Sequence, residues 1–145
     1  MKIVVDTNII VSGLFFKSEY PNQLLSNIMF VNSDLECLIN DEIKAEYLRL
    51  FERNRNSSNY NPVVIEHFIS KLHLIESTSN YNVIVEDQTD NKFINCAADG
   101  KALYIISGDK HILTHLDEIK ILTNVDVIKV KDFCETYLKN NTQGV

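Results

Sequence analysis

No stretch of this sequence is both long and apolar enough to cross a bilayer, which excludes an α-helical membrane span. Met1 and Lys2 run directly into a strand-like segment, so no secretory signal is expected. Cysteine is scarce. Cys37, Cys96 and Cys134 are odd in number, far apart and set among apolar residues. That pattern excludes a disulfide framework and a cysteine metal site, and it suits reduced core thiols of a cytoplasmic protein. Positive charge is also short, with 14 Lys and Arg against 20 Asp and Glu, a net charge of −6. Such a balance argues against a protein that coats DNA through a basic surface. It leaves nucleic-acid chemistry open, because acids gathered in one pocket can bind metal ions that in turn meet phosphate. Repeats and linkers are missing. His111 and His115 form an i, i+4 pair for which the sequence offers no evident third ligand, so a surface pair is expected rather than a zinc site.

The chain has 145 residues, 45% of them hydrophobic and 23% charged, enough for one domain with a proper core. We expect a single domain over residues 1–139 and a frayed tail at 140–145. Lys2 to Val5 reads as a buried strand, followed by a short helix from Asn8 to Phe16. Pro21 marks the start of a helix whose stripe is Leu24, Leu25, Ile28 and Met29. "LECLIN", Leu35 to Asn40, reads as a strand, and Glu42 to Asn54 as a helix capped by Asn40 or Asp41. Asn54 to Asn61 is a polar loop. Pro62 opens a helix with Val64, Ile65, Phe68, Ile69 and Leu72 on its apolar face. "NVIVE" is a short extended stretch, and Asp90 to Asp99 a helix. Ala102 to Ile106 is a strand, and a short helix follows Asp109. "VDVIKV" is the last strand, and Lys131 to Leu138 the last helix. Strands that alternate with helices and are nearly continuous in apolar residues predict an α/β fold around a mostly parallel sheet.

Ligand sites in such sheets lie at the carboxyl ends of strands. Asp6 follows the first strand at once, and Asp109 follows "ALYII" after only Ser107 and Gly108. Asp90 begins the inward stripe of its helix, one turn before Phe93 and Ile94. Locally it reads best as part of a capping box, "DQTD" from Asp87 to Asp90. Glu46 shares the side of Ile43 and Leu50, and locally it reads best as a snorkelling residue at the rim of that stripe. Asp6 and Asp109 could likewise be helix caps. Taken jointly, acids converging on one crevice repel each other, and a hard divalent cation such as Mg²⁺ or Mn²⁺ would reverse that penalty.

The segments "VVDTNIIVSGL", "INDEIKAEYLRL", "DQTDNKFINCAADGKALYIISGD" and "HIL" resemble, in order, the signatures of PIN-domain ribonucleases. The branch most similar is the single-domain bacterial one of VapC-like toxins from toxin–antitoxin pairs. The resemblance implies a three-layer α/β/α sandwich, frequent homodimers and a possible antitoxin partner. It carries the acidic quartet onto Asp6, Glu46, Asp90 and Asp109, with Asp6, Asp90 and Asp109 mainly binding metal. Glu46 would bind metal or orient the attacking water. Asn8 and Ser107 fall where small polar residues support the site, and Asp87 matches an additional acid. The implied activity is metal-dependent hydrolysis of single-stranded or looped RNA. Arg49, Arg53, Lys92 and Lys110 are candidate contacts to RNA phosphates, although ordinary surface charge explains most of them equally well. Two other readings stand beside this one. A haloacid-dehalogenase-like phosphohydrolase also starts with a strand ending in Asp, but it needs a second Asp where this chain has Asn8. A non-catalytic module would bind RNA or protein without cutting.

Overall fold

The computed structural model describes residues 1–31 and 34–138; the expected tail at 140–145 lies outside them. Five strands form one parallel sheet: β1 (Lys2–Val5), β2 (Glu36–Ile39), β3 (Leu72–Leu74), β4 (Tyr104–Ile106) and β5 (Asp126–Ile128). Their order is β3-β2-β1-β4-β5. In β1, Ile3, Val4 and Val5 are each fully buried. Successive strand residues point to opposite faces, so burial of all three requires helices on both sides of the sheet. The result is the expected three-layer α/β/α sandwich. No helix among the described residues is long and apolar enough to cross a membrane.

Helix α1 (Thr7–Phe15) follows β1 directly and packs on α2 (Glu19–Ser26). Gly13 lies at that crossing: a Cβ there would stand 2.9 Å from the Pro21 carbonyl oxygen. Pro21 sits in the first turn of α2 rather than at its start, where the missing N–H still removes no helical bond. Helix α3 (Asp41–Arg53) is capped by Asn40, whose side chain accepts from Ile43 N–H at 2.9 Å. Helix α5 (Asn91–Asp99) lies against β1, β2 and β4. Between α3 and α5 runs α4 (Pro62–Ser70), and after β4 come α6 (Lys110–Thr114), α7 (Leu116–Thr123) and α8 (Val130–Phe133). Cys37, Cys96 and Cys134 are free and buried, and burial pushes each thiol up to about 12, so they serve as core packing.

Two local expectations differ from the structure. Leu72 does not extend the helix begun at Pro62. It opens β3, because the edge of β2 offers ladder partners at Cys37, Leu38 and Ile39. The short helix after Asp109 becomes two, α6 and α7, which meet at His115. The extended "NVIVE" stretch joins no strand, and the backbone of its Ile84 is met by a side chain. The Asn91 amide accepts from Ile84 N–H at 2.9 Å and donates to the Ile84 carbonyl at 2.9 Å. One asparagine thereby pairs with both backbone groups of a buried residue.

The Asn91 bridge fixes the loop that leads to Asp87 and Asp90. Replacing Asn91→Ala leaves two buried backbone groups without partners and should cost about 2–4 kcal/mol of stability. Urea unfolding of the metal-free protein checks this, with an unchanged midpoint as the contrary result.

Candidate metal centre

The sheet order reverses between β1 and β4. From β1 the chain builds outward through β2 and β3, then crosses back to place β4 and β5 on the other side. A crevice at the carboxyl ends of β1 and β4 follows from that reversal. Asp6 and Asp109 flank it. The Asp6 N–H still donates to Ile106 O of β4 at 3.0 Å, and its side chain then caps α1 through Asn8 N–H at 3.4 Å. Asp109 caps α6, accepting from His111 N–H at 2.8 Å. Between them Ser107, fully buried, donates its hydroxyl to Asp6 Oδ2 at 2.7 Å and accepts Asp109 N–H at 3.0 Å. One hydroxyl thus ties the two acids together.

Asp90 ends a 3₁₀ turn (Gln88–Asp90) and enters the crevice from the start of α5. The local reading of "DQTD" as a capping box fails at Asp90. Asp87 takes the cap, accepting from Thr89 N–H at 3.1 Å and from the Thr89 hydroxyl at 2.5 Å. Asp90 makes no cap bond, and its Oδ2 is buried without a hydrogen-bond partner. Burial pushes the Asp90 carboxyl up to about 6, and the neighbouring charges of Asp109, Asp87 and Asp6 push the same way. Asp6 is also raised, first by burial and further by Asp109 and Glu46, against the lowering effect of Ser107 and Asn8. The hydrogen bond from Thr89 holds Asp87 below its usual range.

Glu46 turns inward instead of snorkelling. Its Oε2 accepts the Thr7 hydroxyl, and its Oε1 pairs with Lys92 Nζ at 3.1 Å and with Arg49 at 3.7 Å. The helix that carries it is docked on β1 by Tyr47, whose buried hydroxyl donates to Val5 O. Lys92, expected among the phosphate contacts, has a side chain only 6% exposed. It donates to Thr89 O at 2.6 Å, and its own carbonyl accepts from Asn40 at 3.3 Å. Its ammonium is therefore committed within the fold. Arg49 and Arg53 are exposed, as is Lys110. An open groove of about 320 Å³ runs past Glu42, Ala45, Glu46, Arg49, Thr89 and Lys92. Asn8 contributes its backbone N–H, and its side chain faces solvent.

The acids do not collapse onto a single point. Among the described residues, the tight group is Asp87, Asp90 and His111, whose ligand atoms lie within 4.8 Å of one another. Asp6 and Asp109 stand outside it and are coupled to Asp90 through their charges. His111 is exposed, as expected, but two carboxylates that the sequence did not point to stand beside it. That proximity arises only when the Asp87 loop is laid against α6. Sequence reasoning also missed Thr7, the hydrogen bond of Tyr47 to Val5 and the buried role of Lys92. Lys92 shares a helix face with buried Cys96 four residues on, and Thr7 directly follows Asp6; these were the available signals. A hard or borderline divalent cation fits this donor set. It would give the orphaned Asp90 oxygen a partner and offset the burial and repulsion that raise Asp90 and Asp6.

Comparison with known proteins matches residues 2–111 to the PIN domain. Among curated proteins, the chain is similar to the uncharacterized protein MJ1680 of Methanocaldococcus jannaschii. The two are 31% identical over 149 residues, with 96% of this chain and 93% of that protein covered. Among solved structures, it is similar to a chain in the crystal structure of VapBC2 from Rickettsia felis bound to a DNA fragment from their promoter. That likeness has a TM-score of 0.56 at 15% identity and covers 89% of this chain and 98% of the other. At such identity it shows the fold.

The raised Asp90 makes the metal-free protein pH-sensitive. The folded carboxyl titrates near 6 against an ordinary value of 3.8, so ionisation is harder in the native state. Stability should therefore fall as pH rises from about 4 to 6 and then level off, as far as this group is concerned. Asp90→Asn should flatten that segment of the profile. Chemical denaturation in chelator across pH 3.5 to 7.5 (roughly the span over which both states titrate) measures it. A variant with the parent's slope would contradict the assignment.

Proposed function

Because this chain belongs to the PIN-domain family, whose members are generally metal-dependent nucleases, we propose that it is a metal-dependent endoribonuclease. The observation that carries this reading is the buried, unpartnered Asp90 oxygen among acids that raise its pKa. Such an arrangement is costly for a protein alone and is relieved by a divalent cation.

Asp6, Asp90 and Asp109 would hold Mg²⁺ or Mn²⁺. When bound, the cation supplies Lewis-acid polarisation of a phosphodiester and activation of water. The chain's own groups do the positioning. Ser107 holds the Asp6 carboxylate toward the crevice, and Thr7 and Lys92 fix the Glu46 carboxylate at its rim, where it would bind metal or orient the attacking water. Arg49 would meet phosphates along the groove and the exposed Arg53 and Lys110 would meet them outside it, with single-stranded or looped RNA favoured because a splayed strand reaches such a crevice more readily than a duplex. The reading extends to one nuclease domain over residues 1–139, a homodimer in the cytoplasm, and the toxin role of a VapC-like protein held by an antitoxin.

Asp6→Asn and Asp109→Asn keep an acceptor for the helix caps while removing one charge each. Each should abolish metal-dependent RNA cleavage. Without metal, each should melt no earlier than the parent, because repulsion at the raised Asp6 is relieved. Mn²⁺ should raise the melting midpoint of the parent, as any ligand of the native state must. Cleavage of a labelled single-stranded RNA with and without chelator is the assay, and full activity in both variants would reject the assignment.

A further inference from the structure

His111 belongs to no part of the acidic quartet, yet it stands closest to two carboxylates. Its ring, Asp87 and Asp90 each offer a ligand atom within 4.8 Å of the others. These ligands are held from behind. The His111 N–H is bonded to Asp109 Oδ1 at 2.8 Å, so the imidazole and Asp109 leave the same first turn of α6. The His111 Nδ1 lies 3.9 Å from that same Asp109 oxygen. Asp87 is fixed by both the N–H and the hydroxyl of Thr89. Glu86, its neighbour, meets His115 Nε2 at 3.1 Å, and His115 Nδ1 meets Glu118 at 3.3 Å. The loop that bears Asp87 is thereby fastened to the helix pair that bears His111. Asp90 brings the buried oxygen that has no protein partner.

We propose that His111 donates an imidazole nitrogen to a cation position built with Asp87 and Asp90, and that this nitrogen makes the position favour borderline divalent ions such as Co²⁺ over Mg²⁺. The inference rests on the metal-centre reading above and adds a ligand and a metal preference to it. Carboxylate oxygens alone suit Mg²⁺ and Mn²⁺, whereas imidazole strengthens binding of ions later in the first transition row. Asp90 is shared between this position and the crevice of Asp6 and Asp109. The same side chain thus links a nitrogen-containing lobe to an all-oxygen lobe.

The full-length metal-free protein is titrated with Co²⁺, followed by visible absorption and calorimetry, and separately with Mg²⁺. His111→Ala should weaken Co²⁺ binding by about tenfold or more and leave Mg²⁺ binding within about twofold. The Mn²⁺-loaded parent should show nitrogen hyperfine coupling in pulsed electron paramagnetic resonance, lost in the variant. His111→Asp, which makes the position all oxygen, should lose the Co²⁺ preference while retaining Mg²⁺. The His111 side chain is 47% exposed, so His111→Ala should melt with the parent in chelator, whereas His111→Asp adds a carboxylate to the acids and should melt somewhat earlier there. Unchanged Co²⁺ affinity, an equal change for both cations, or no nitrogen coupling in the parent overturns the inference. A gain for both cations would mean that His111 acts only as a neighbouring positive charge, and also overturns it. If the parent cuts no RNA but binds Co²⁺ through His111, the nuclease reading fails and this one stands. If the parent cuts RNA while His111→Ala binds Co²⁺ as before, the reverse holds.

Discussion

Like charges held close together are the constraint around which this molecule is arranged. Asp6, Asp87, Asp90 and Asp109 reach one edge of the sheet from three separate stretches of chain; burial raises the Asp6 and Asp90 carboxyls most, and the neighbouring charges push them the same way. The fold tolerates this through local hydrogen bonds. Asp6 leans on Ser107, Asp87 on Thr89, and Asp109 on the first turn of α6. Each bond fixes a carboxylate in place without cancelling its charge. Asp90 has no such support at Oδ2.

The same edge shows how a buried cation can serve architecture. Lys92 joins α5 to α3 through Glu46 and to the 3₁₀ turn through Thr89 O. Removing an ammonium from water is costly unless it is paired and hydrogen-bonded, and here both conditions are met. Glu46 in turn is held on its other oxygen by Thr7, the residue next to Asp6. Glu46 and Asp6 are thus placed by neighbours on one short turn, so a shift of α1 would be felt at both.

Helix caps and metal-site acids need the same chemistry, a short oxygen-bearing side chain at the end of a strand. This explains why each acid had a reasonable local reading. Asp6 and Asp109 do cap helices, and a capping carboxylate keeps lone pairs that the cap bond does not use. Asp90 and Glu46 behave otherwise than their local surroundings suggested. The capping bond went to Asp87, and Thr7 and Lys92 drew Glu46 inward. No window of a few residues contains those partners: Thr7 is 39 residues from Glu46.

The sequence alone determined an α/β fold around a mostly parallel sheet, because short, nearly continuous apolar runs alternating with helical patterns read as strands covered on both faces. It also determined that Asp6 and Asp109 lie at strand ends, since that depends only on where the apolar runs stop. Tertiary structure alone decided what those acids meet. It brought His111 to Asp87 and Asp90, buried Lys92 against Glu46, and turned Leu72 from a helical residue into a strand at the edge of β2. The physical reason is range. Periodicity and capping act over one or two turns, whereas charge pairing and strand pairing depend on which distant segments the folded chain lays side by side.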